Sequence, residues 1–178
     1  MGKCEVILAG FGGQGILFTG KILAYAAMLT GKKLSWLPSY GPEMRGGTAN
    51  CHVIIDDNPI GSPIVTNPDI LIVMNRPSLD KFESAVTKDG YVFVDSSLVD
   101  REVARDDVKS VYINATEIAD GIGNKGLANM VMLGAVLKKT EVFTLEEIEE
   151  TMKKSLPASK LSLVEANMKA VNEGYKLV

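Results

Sequence analysis

The hydrophobic positions fall into two kinds of segment that alternate along the chain. The run Glu5–Gly10 (EVILAG) is almost continuously apolar and ends in glycine, the pattern of a strand covered on both faces in a parallel sheet. Ile16, Leu17, Ile22, Leu23, Ala26, Ala27 and Leu29 then recur at helical spacing up to Gly31, a C-terminal stop. Leu34 to Leu37 predicts a second strand. From Thr48 the pattern becomes strict alternation, with Ala49, Cys51, Val53 and Ile55 on one face and Asn50 and His52 on the other. Asp56-Asp57-Asn58-Pro59 reads as a turn and Ile60 as the start of a short return strand, so a hairpin is expected there.

Asp69 to Met74, residues 91–94 and residues 108–113 predict three further strands. Pro77 opens a helix that runs to about Val86. Further helices are expected over about 115–121, 126–138, 144–154 and 161–175, with Thr144/Glu147 and Ser162/Glu165 spaced as capping boxes. Strands alternating with helices, then a helical tail, specify an α/β fold. The expectation is a mostly parallel, Rossmann-like sheet with a β-hairpin insertion and a helical C-terminal segment. With 178 residues and no internal repeat or linker, residues 1–178 read as a single domain.

Composition narrows the chemistry. A chain with 46% hydrophobic and 23% charged residues has globular composition, and a net charge of -3 leaves no strong footprint for duplex nucleic acid. Cys4 and Cys51 are too few for an iron–sulfur cluster or a disulfide framework, and no CxxC is present. With His52 as the single histidine, no zinc site is expected; the two thiols read as buried apolar residues in a reducing compartment. No secretory signal precedes the first strand, and no apolar run approaches the ~18 residues of a membrane span. A cytoplasmic chain with no nucleic-acid and no membrane partner is therefore expected.

Two glycine-rich stretches carry the candidate chemistry. Gly10-Phe11-Gly12-Gly13-Gln14-Gly15 lies between a strand and a helix, where glycine allows a tight turn and the helix N-terminus offers unpaired N–H groups and partial positive charge. Its spacing matches a dinucleotide fingerprint, but LSWLPSYG supplies no acid at the end of the second strand to hold a ribose. Ser39-Tyr40-Gly41-Pro42-Glu43-Met44-Arg45-Gly46-Gly47 is the second stretch. Arg45 stands before two glycines, so a guanidinium accompanies exposed backbone amides, a combination suited to a carboxylate or phosphate. The bland reading is a local Glu43–Arg45 pair or an intersubunit salt bridge. If the first two strands are parallel neighbours, both loops leave the same carboxyl edge of the sheet, where α/β proteins bind ligands.

Other polar residues weigh less. His52 reads as a surface or hydrogen-bonded residue, Asp95-Ser96-Ser97 as a helix N-cap, and Asn124, Lys125 and Asn129 as the solvated start of an apolar helix. Glu146, Glu147, Glu149 and Glu150 read as a solvated face, and Met130 and Met132 as core. There is no GxxxxGK[ST] loop, no GxSxG elbow and no opening of a thiamine-diphosphate and magnesium motif. No catalytic nucleophile, metal or redox centre is evident.

Taken together, Ala9 to Gly15, PSYGPEMRGGTAN (Pro38 to Asn50), Ser62-Pro63, and Asn67-Pro68-Asp69 followed by an apolar strand and Asn75 resemble the gamma subunit of 2-oxoacid:ferredoxin oxidoreductases. The likeness is densest over residues 5–80 and continues more loosely through NKGLANMVMLG. It implies a complex that oxidatively decarboxylates a 2-oxoacid, forms an acyl-coenzyme A and passes electrons to ferredoxin. Thiamine diphosphate, Mg2+ and [4Fe–4S] clusters are then expected on partner alpha, beta and ferredoxin-like delta subunits, with none firmly bound here. Coenzyme A is associated with the gamma domain in some relatives. The PSYGPEMRGGTAN loop is closer to the 2-oxoglutarate type than to the pyruvate type, with branched-chain 2-oxoacids as the alternative. The expected binding residues are Gly12, Gly13, Gln14 and Gly15 as backbone anion donors or interface contacts, Ser39 and Tyr40 at the same mouth, Arg45 as charged anchor for a coenzyme A phosphate or a partner carboxylate, oriented by Glu43, and Gly46 and Gly47. Competing readings are a stand-alone dinucleotide-binding oxidoreductase and a docking subunit without a ligand.

Overall fold

The computed structural model describes residues 2–39, 48–157, 159 and 161–178. Its sheet has six strands, β1 (Cys4–Phe11), β2 (Lys33–Ser39), β3 (Thr48–Asp56), β4 (Ile70–Val73), β5 (Tyr91–Asp95) and β6 (Lys109–Ile113). Their order is β2-β3-β1-β4-β5-β6. The pairs β1–β4, β4–β5 and β5–β6 are parallel. β3 is antiparallel to both of its neighbours. This is the expected mixed, mostly parallel α/β sheet.

Two sequence expectations about the strands need correction. β1 and β2 are not neighbours, because β3 lies between them, with Phe11 opposite Thr48 and Ser39 opposite Asn50. Only eight residues join Ser39 to Thr48, fewer than the dozen or more a parallel crossover needs, so β3 returns antiparallel beside β2. The hairpin therefore joins β2 to β3, and no return strand begins at Ile60. The turn after β3 does form, with Asp56 Oδ1 accepting from the backbone N–H of Asn58 at 2.9 Å. Beyond it, Pro59, Pro63 and Pro68 remove ladder donors, and residues 57–69 cross the sheet as irregular chain.

Among the described residues six α-helices complete the fold: α1 (Ile16–Leu29), α2 (Arg76–Phe82), α3 (Ala115–Gly121), α4 (Ala128–Thr140), α5 (Leu145–Ser155) and α6 (Ser162–Lys176). One face of the sheet (Val6, Leu8, Cys51, Val53, Ile72, Phe93) packs with α1, α4, α5 and α6 into the main core. The other face (Ile7, Ala9, Ile54, Leu71, Val92) packs with Leu79 of α2 and with Val65 and Val99. The alternation read along β3 thus holds, except that both faces are covered. Cys4 and Cys51 are buried and unoxidised, and burial pushes both thiols up to about 12.

α4 is apolar on all sides because every side of it is covered. It crosses α6 backbone to backbone: a Cβ on Gly134 would fall 1.9 Å from the Val171 carbonyl, and one on Gly174 1.8 Å from that of Val131. Met130 and Met132 are fully buried, as expected. α5 starts with the expected Thr144/Glu147 capping box. The Ser162/Glu165 pair does not form one, because Leu161 is the N-cap and Ser162 already lies within the first turn.

His52 holds the irregular crossing segment in place. Its Nδ1 accepts the Val65 backbone N–H at 3.0 Å, which requires that nitrogen to be unprotonated. Burial, and then the charge of Lys81, lower its pKa below 6.5.

Two predictions follow from this packing. Gly134→Ala places a methyl against backbone that cannot yield, so it should destabilise by about 3 kcal/mol or more, read as a fall in the urea midpoint. His52 is held neutral in the fold and charges more readily when unfolded. Its contribution is therefore complete above pH ~6.5 and is lost as pH falls toward the lowered folded value. Urea titrations at pH 7.5 and 5.5 should show a smaller loss of stability for His52→Gln than for the wild type. An equal loss would contradict this role.

Candidate functional site

The strand ends assemble one rim. β1 stops at Phe11, β2 at Ser39, β4 at Val73 and β5 at Asp95, and β3 begins there at Thr48. The expectation that the two glycine-rich stretches share the carboxyl edge is therefore met at Gly12–Gly15 and at Ser39 and Thr48, although through β3 rather than through direct β1–β2 pairing. Tyr40, Glu43, Arg45, Gly46 and Gly47 lie outside the described residues.

Glycine is required at two positions of the first turn. Gly13 has φ +94° and Gly15 φ +77°, left-handed conformations that cost other residues about 1–2 kcal/mol. Gly15 also meets a steric limit, since a Cβ there would lie 2.4 Å from Asn129 Nδ2. The turn is braced by Gln14. Its backbone N–H donates to the Phe11 carbonyl at 3.2 Å, its Oε1 accepts the Phe11 N–H at 2.5 Å, and its Nε2 donates to the Met74 carbonyl at 3.0 Å. Gln14 thus ties β1 to the end of β4. Its amide and side chain are engaged within the chain, so of the two roles expected for it, backbone anion donor or interface contact, the amide that the first needs is already taken by Phe11.

No described residue accepts a hydrogen bond from the amides of Gly12, Gly13, Gly15 or Ile16. The N-terminus of α1 has no side-chain cap and no acid in its first turn. These amides border a cleft of about 290 Å³ lined by Phe11, Gly12, Gly13, Leu17, Ser39 and Thr48, among others. A second cleft, of about 280 Å³, lies across the turn between Gln14, Met74, Thr116 and Lys125. The first cleft offers apolar walls with a fringe of donors. It suits an extended ligand that carries both anionic or carbonyl oxygens and uncharged stretches.

Three buried polar atoms at this rim lack partners among the described residues: Asn75 Nδ2, Ser78 Oγ and Asn129 Oδ1. An orphaned group of this kind costs about 1–3 kcal/mol. Asn129 was read from sequence as the solvated start of a helix, but it is only 4% exposed. Its Nδ2 donates to the Gly15 carbonyl at 3.2 Å and to Thr19 Oγ1 at 3.0 Å. A polar residue next to NKGLA and just ahead of MVMLGAVL was the available signal, and the charged neighbour Lys125 obscured it. Lys125 itself is exposed and lies 3.4 Å from Asp120.

No helix follows Asp95-Ser96-Ser97 directly, but both acceptor side chains meet first-turn amides of α3: Asp95 Oδ1 accepts the Thr116 N–H at 3.4 Å and Ser97 Oγ the Glu117 N–H at 3.2 Å. The Asp95 carboxylate also accepts from the Ser97 N–H at 3.1 Å and from Thr116 Oγ1 at 2.6 Å, which ties the end of β5 to α3. Among the described residues no group of three or more His, Cys, Asp or Glu could hold a metal ion. No described helix is long and apolar enough to cross a membrane.

Residues 5–177 match the family model described as pyruvate ferredoxin/flavodoxin oxidoreductase. The 2-oxoglutarate synthase subunit KorC of Methanocaldococcus jannaschii is 38% identical over 176 residues, covering 97% of this chain and 92% of that one. The ketoisovalerate oxidoreductase subunit VorA of Methanothermobacter thermautotrophicus is 38% identical over 172 residues, covering 97% of this chain but only 36% of the longer VorA chain. Among solved structures, the gamma subunit of a keto/oxoacid ferredoxin oxidoreductase from Geobacter sulfurreducens superposes with a TM-score of 0.83 at 31% identity, over 99% of this chain and 96% of that one.

The two left-handed glycines separate strain from clash. Gly13→Ala meets open space and should lower stability by about 1 kcal/mol, whereas Gly15→Ala adds the collision with Asn129 and should cost at least about 2 kcal/mol. Denaturant midpoints of the two variants would measure the difference, and equal losses would show that the Asn129 contact is unimportant.

Proposed function

We propose, from the premise that this chain belongs to the pyruvate ferredoxin/flavodoxin oxidoreductase family, that it is the gamma subunit of a 2-oxoacid:ferredoxin oxidoreductase complex and that its glycine-turn rim contacts coenzyme A. The observation that carries the reading is the set of amides at Gly12, Gly13, Gly15 and Ile16 that no described residue engages, opening onto the apolar cleft at the sheet's carboxyl edge. Coenzyme A has the matching chemistry, with phosphates for amide donors and a long uncharged arm for apolar walls. Ser39 borders the same cleft. Arg45, with Glu43 orienting it and Tyr40, Gly46 and Gly47 beside it, supplies the charged anchor in this proposal. The chain enters and leaves that segment at Ser39 and Thr48, on the same rim.

The described residues include no nucleophile–base pair and no metal cluster at the rim. In this account the chain binds and orients coenzyme A and docks the subunits that carry thiamine diphosphate, Mg2+ and [4Fe–4S] clusters. Those subunits perform the decarboxylation and pass electrons to ferredoxin. The favoured substrate is 2-oxoglutarate, supported by the PSYGPEMRGGTAN loop and by the likeness to KorC across nearly the whole of both chains. A branched-chain 2-oxoacid is the second reading, supported by an equal identity to VorA. A stand-alone dinucleotide enzyme is disfavoured, because Lys33–Ser39 ends without an acid for a ribose.

The complex reconstituted with its partners should reduce a viologen dye with 2-oxoglutarate and coenzyme A faster than with pyruvate or 2-oxoisovalerate, and the isolated chain should reduce none. Turnover by the chain alone would contradict its role as a subunit. Faster turnover with 2-oxoisovalerate would select the second reading.

A further inference from the structure

We infer that Asn129 is a positioning residue that aims the Ile16 amide into the cleft, acting through the peptide plane between Gly15 and Ile16. The inference rests on the proposal that coenzyme A binds at this rim. A trans peptide is planar, so its C=O and N–H point in opposite directions. The Gly15 carbonyl accepts from the Thr19 N–H at 3.0 Å, from Thr19 Oγ1 at 3.2 Å and from Asn129 Nδ2 at 3.2 Å. Holding that oxygen toward α4 turns the Ile16 N–H away from α4, at the end of α1 that borders the 290 Å³ cleft.

The plane needs an outside lock. Gly15 sits at φ +77° and, lacking a Cβ, is the residue type least able to resist rotation of the adjoining peptide. The bonds from Thr19 are local to the first turn of α1. The bond from Asn129 crosses 114 positions of sequence and ties the turn to the buried helix α4. Asn129 is the one buried polar residue of α4, and its Oδ1 has no partner among the described residues. An aliphatic side chain would fill the same space without an orphaned acceptor. What it would not supply is the donor to Gly15. A donor fixed before the ligand arrives costs no reorganisation on binding, which is how a residue that need not touch coenzyme A tunes its affinity.

Asn129→Asp keeps the shape and replaces the donor with an acceptor that repels the Gly15 carbonyl. In the full chain, amide exchange followed by NMR should show the Thr19 amide exchanging about tenfold faster, with the amides of α6 unchanged. In the assembled complex, half-saturating coenzyme A should rise about tenfold while turnover at saturating coenzyme A stays close to wild type. Asn129→Leu, an aliphatic side chain of similar size without the donor, should shift both readouts the same way by less, so it decides the matter if Asn129→Asp does not fold. Gly13→Ala tests the coenzyme A reading separately. If it raises half-saturation and the two Asn129 variants do not, the inference is overturned and the reading stands. If none of the three changes half-saturation, the reading fails and takes the inference with it. Unchanged Thr19 exchange in both variants overturns the lock itself.

Discussion

One carbonyl joins the local turn to the body of the molecule. The Gly15 oxygen is shared between Thr19, one turn further along α1, and Asn129 at the start of α4. α4 is in turn fixed by its crossing with α6, where Gly134 and Gly174 let the two backbones touch. The glycine turn therefore rests on the most deeply buried helix of the fold and does not move independently as a surface loop would. Gln14 provides the second tie, from β1 to the Met74 carbonyl at the end of β4. With both ties made, the turn is held at the border of the cleft by two bonds from outside it. A site of this kind gains affinity from order already present in the free protein.

Much of this architecture was legible in the sequence because the signals were local. EVILAG, DILIVM and YVFVD are short apolar runs with few other ways to be buried, and Thr144 with Glu147 is a cap whose two partners lie three residues apart. Strand pairing was less legible, since hydrophobic pattern fixes which face is buried but not which neighbour lies alongside. The length of the connection makes β3 antiparallel to β2, but its insertion between β2 and β1 is decided by tertiary packing. Ser162 and Glu165 matched a cap by spacing, but the chain entered the helix one residue earlier.

The rim was legible for the same reason and incomplete for a different one. Gly13 and Gly15 were predicted from the turn they allow, and both adopt left-handed conformations. Asn129 is far from them in sequence and looks like one more polar residue at a helix start. Its contact with Gly15 depends on how α4 is placed against α1, which only tertiary packing decides. Asp95 is similar, because the helix whose first turn it caps, at Thr116, lies 21 residues further on and not directly after it. Polar residues whose partners are distant carry their meaning in the fold, and sequence pattern is blind to them.

The central claim is that coenzyme A meets this chain at the glycine turn. Hydrogen exchange of the assembled complex, followed by mass spectrometry with and without coenzyme A, tests it most directly. Slower exchange confined to peptides spanning residues 10–18 and the strand ends at 39 and 48 is the predicted result. Saturation of the complex with coenzyme A that leaves residues 10–18 unchanged would contradict the claim.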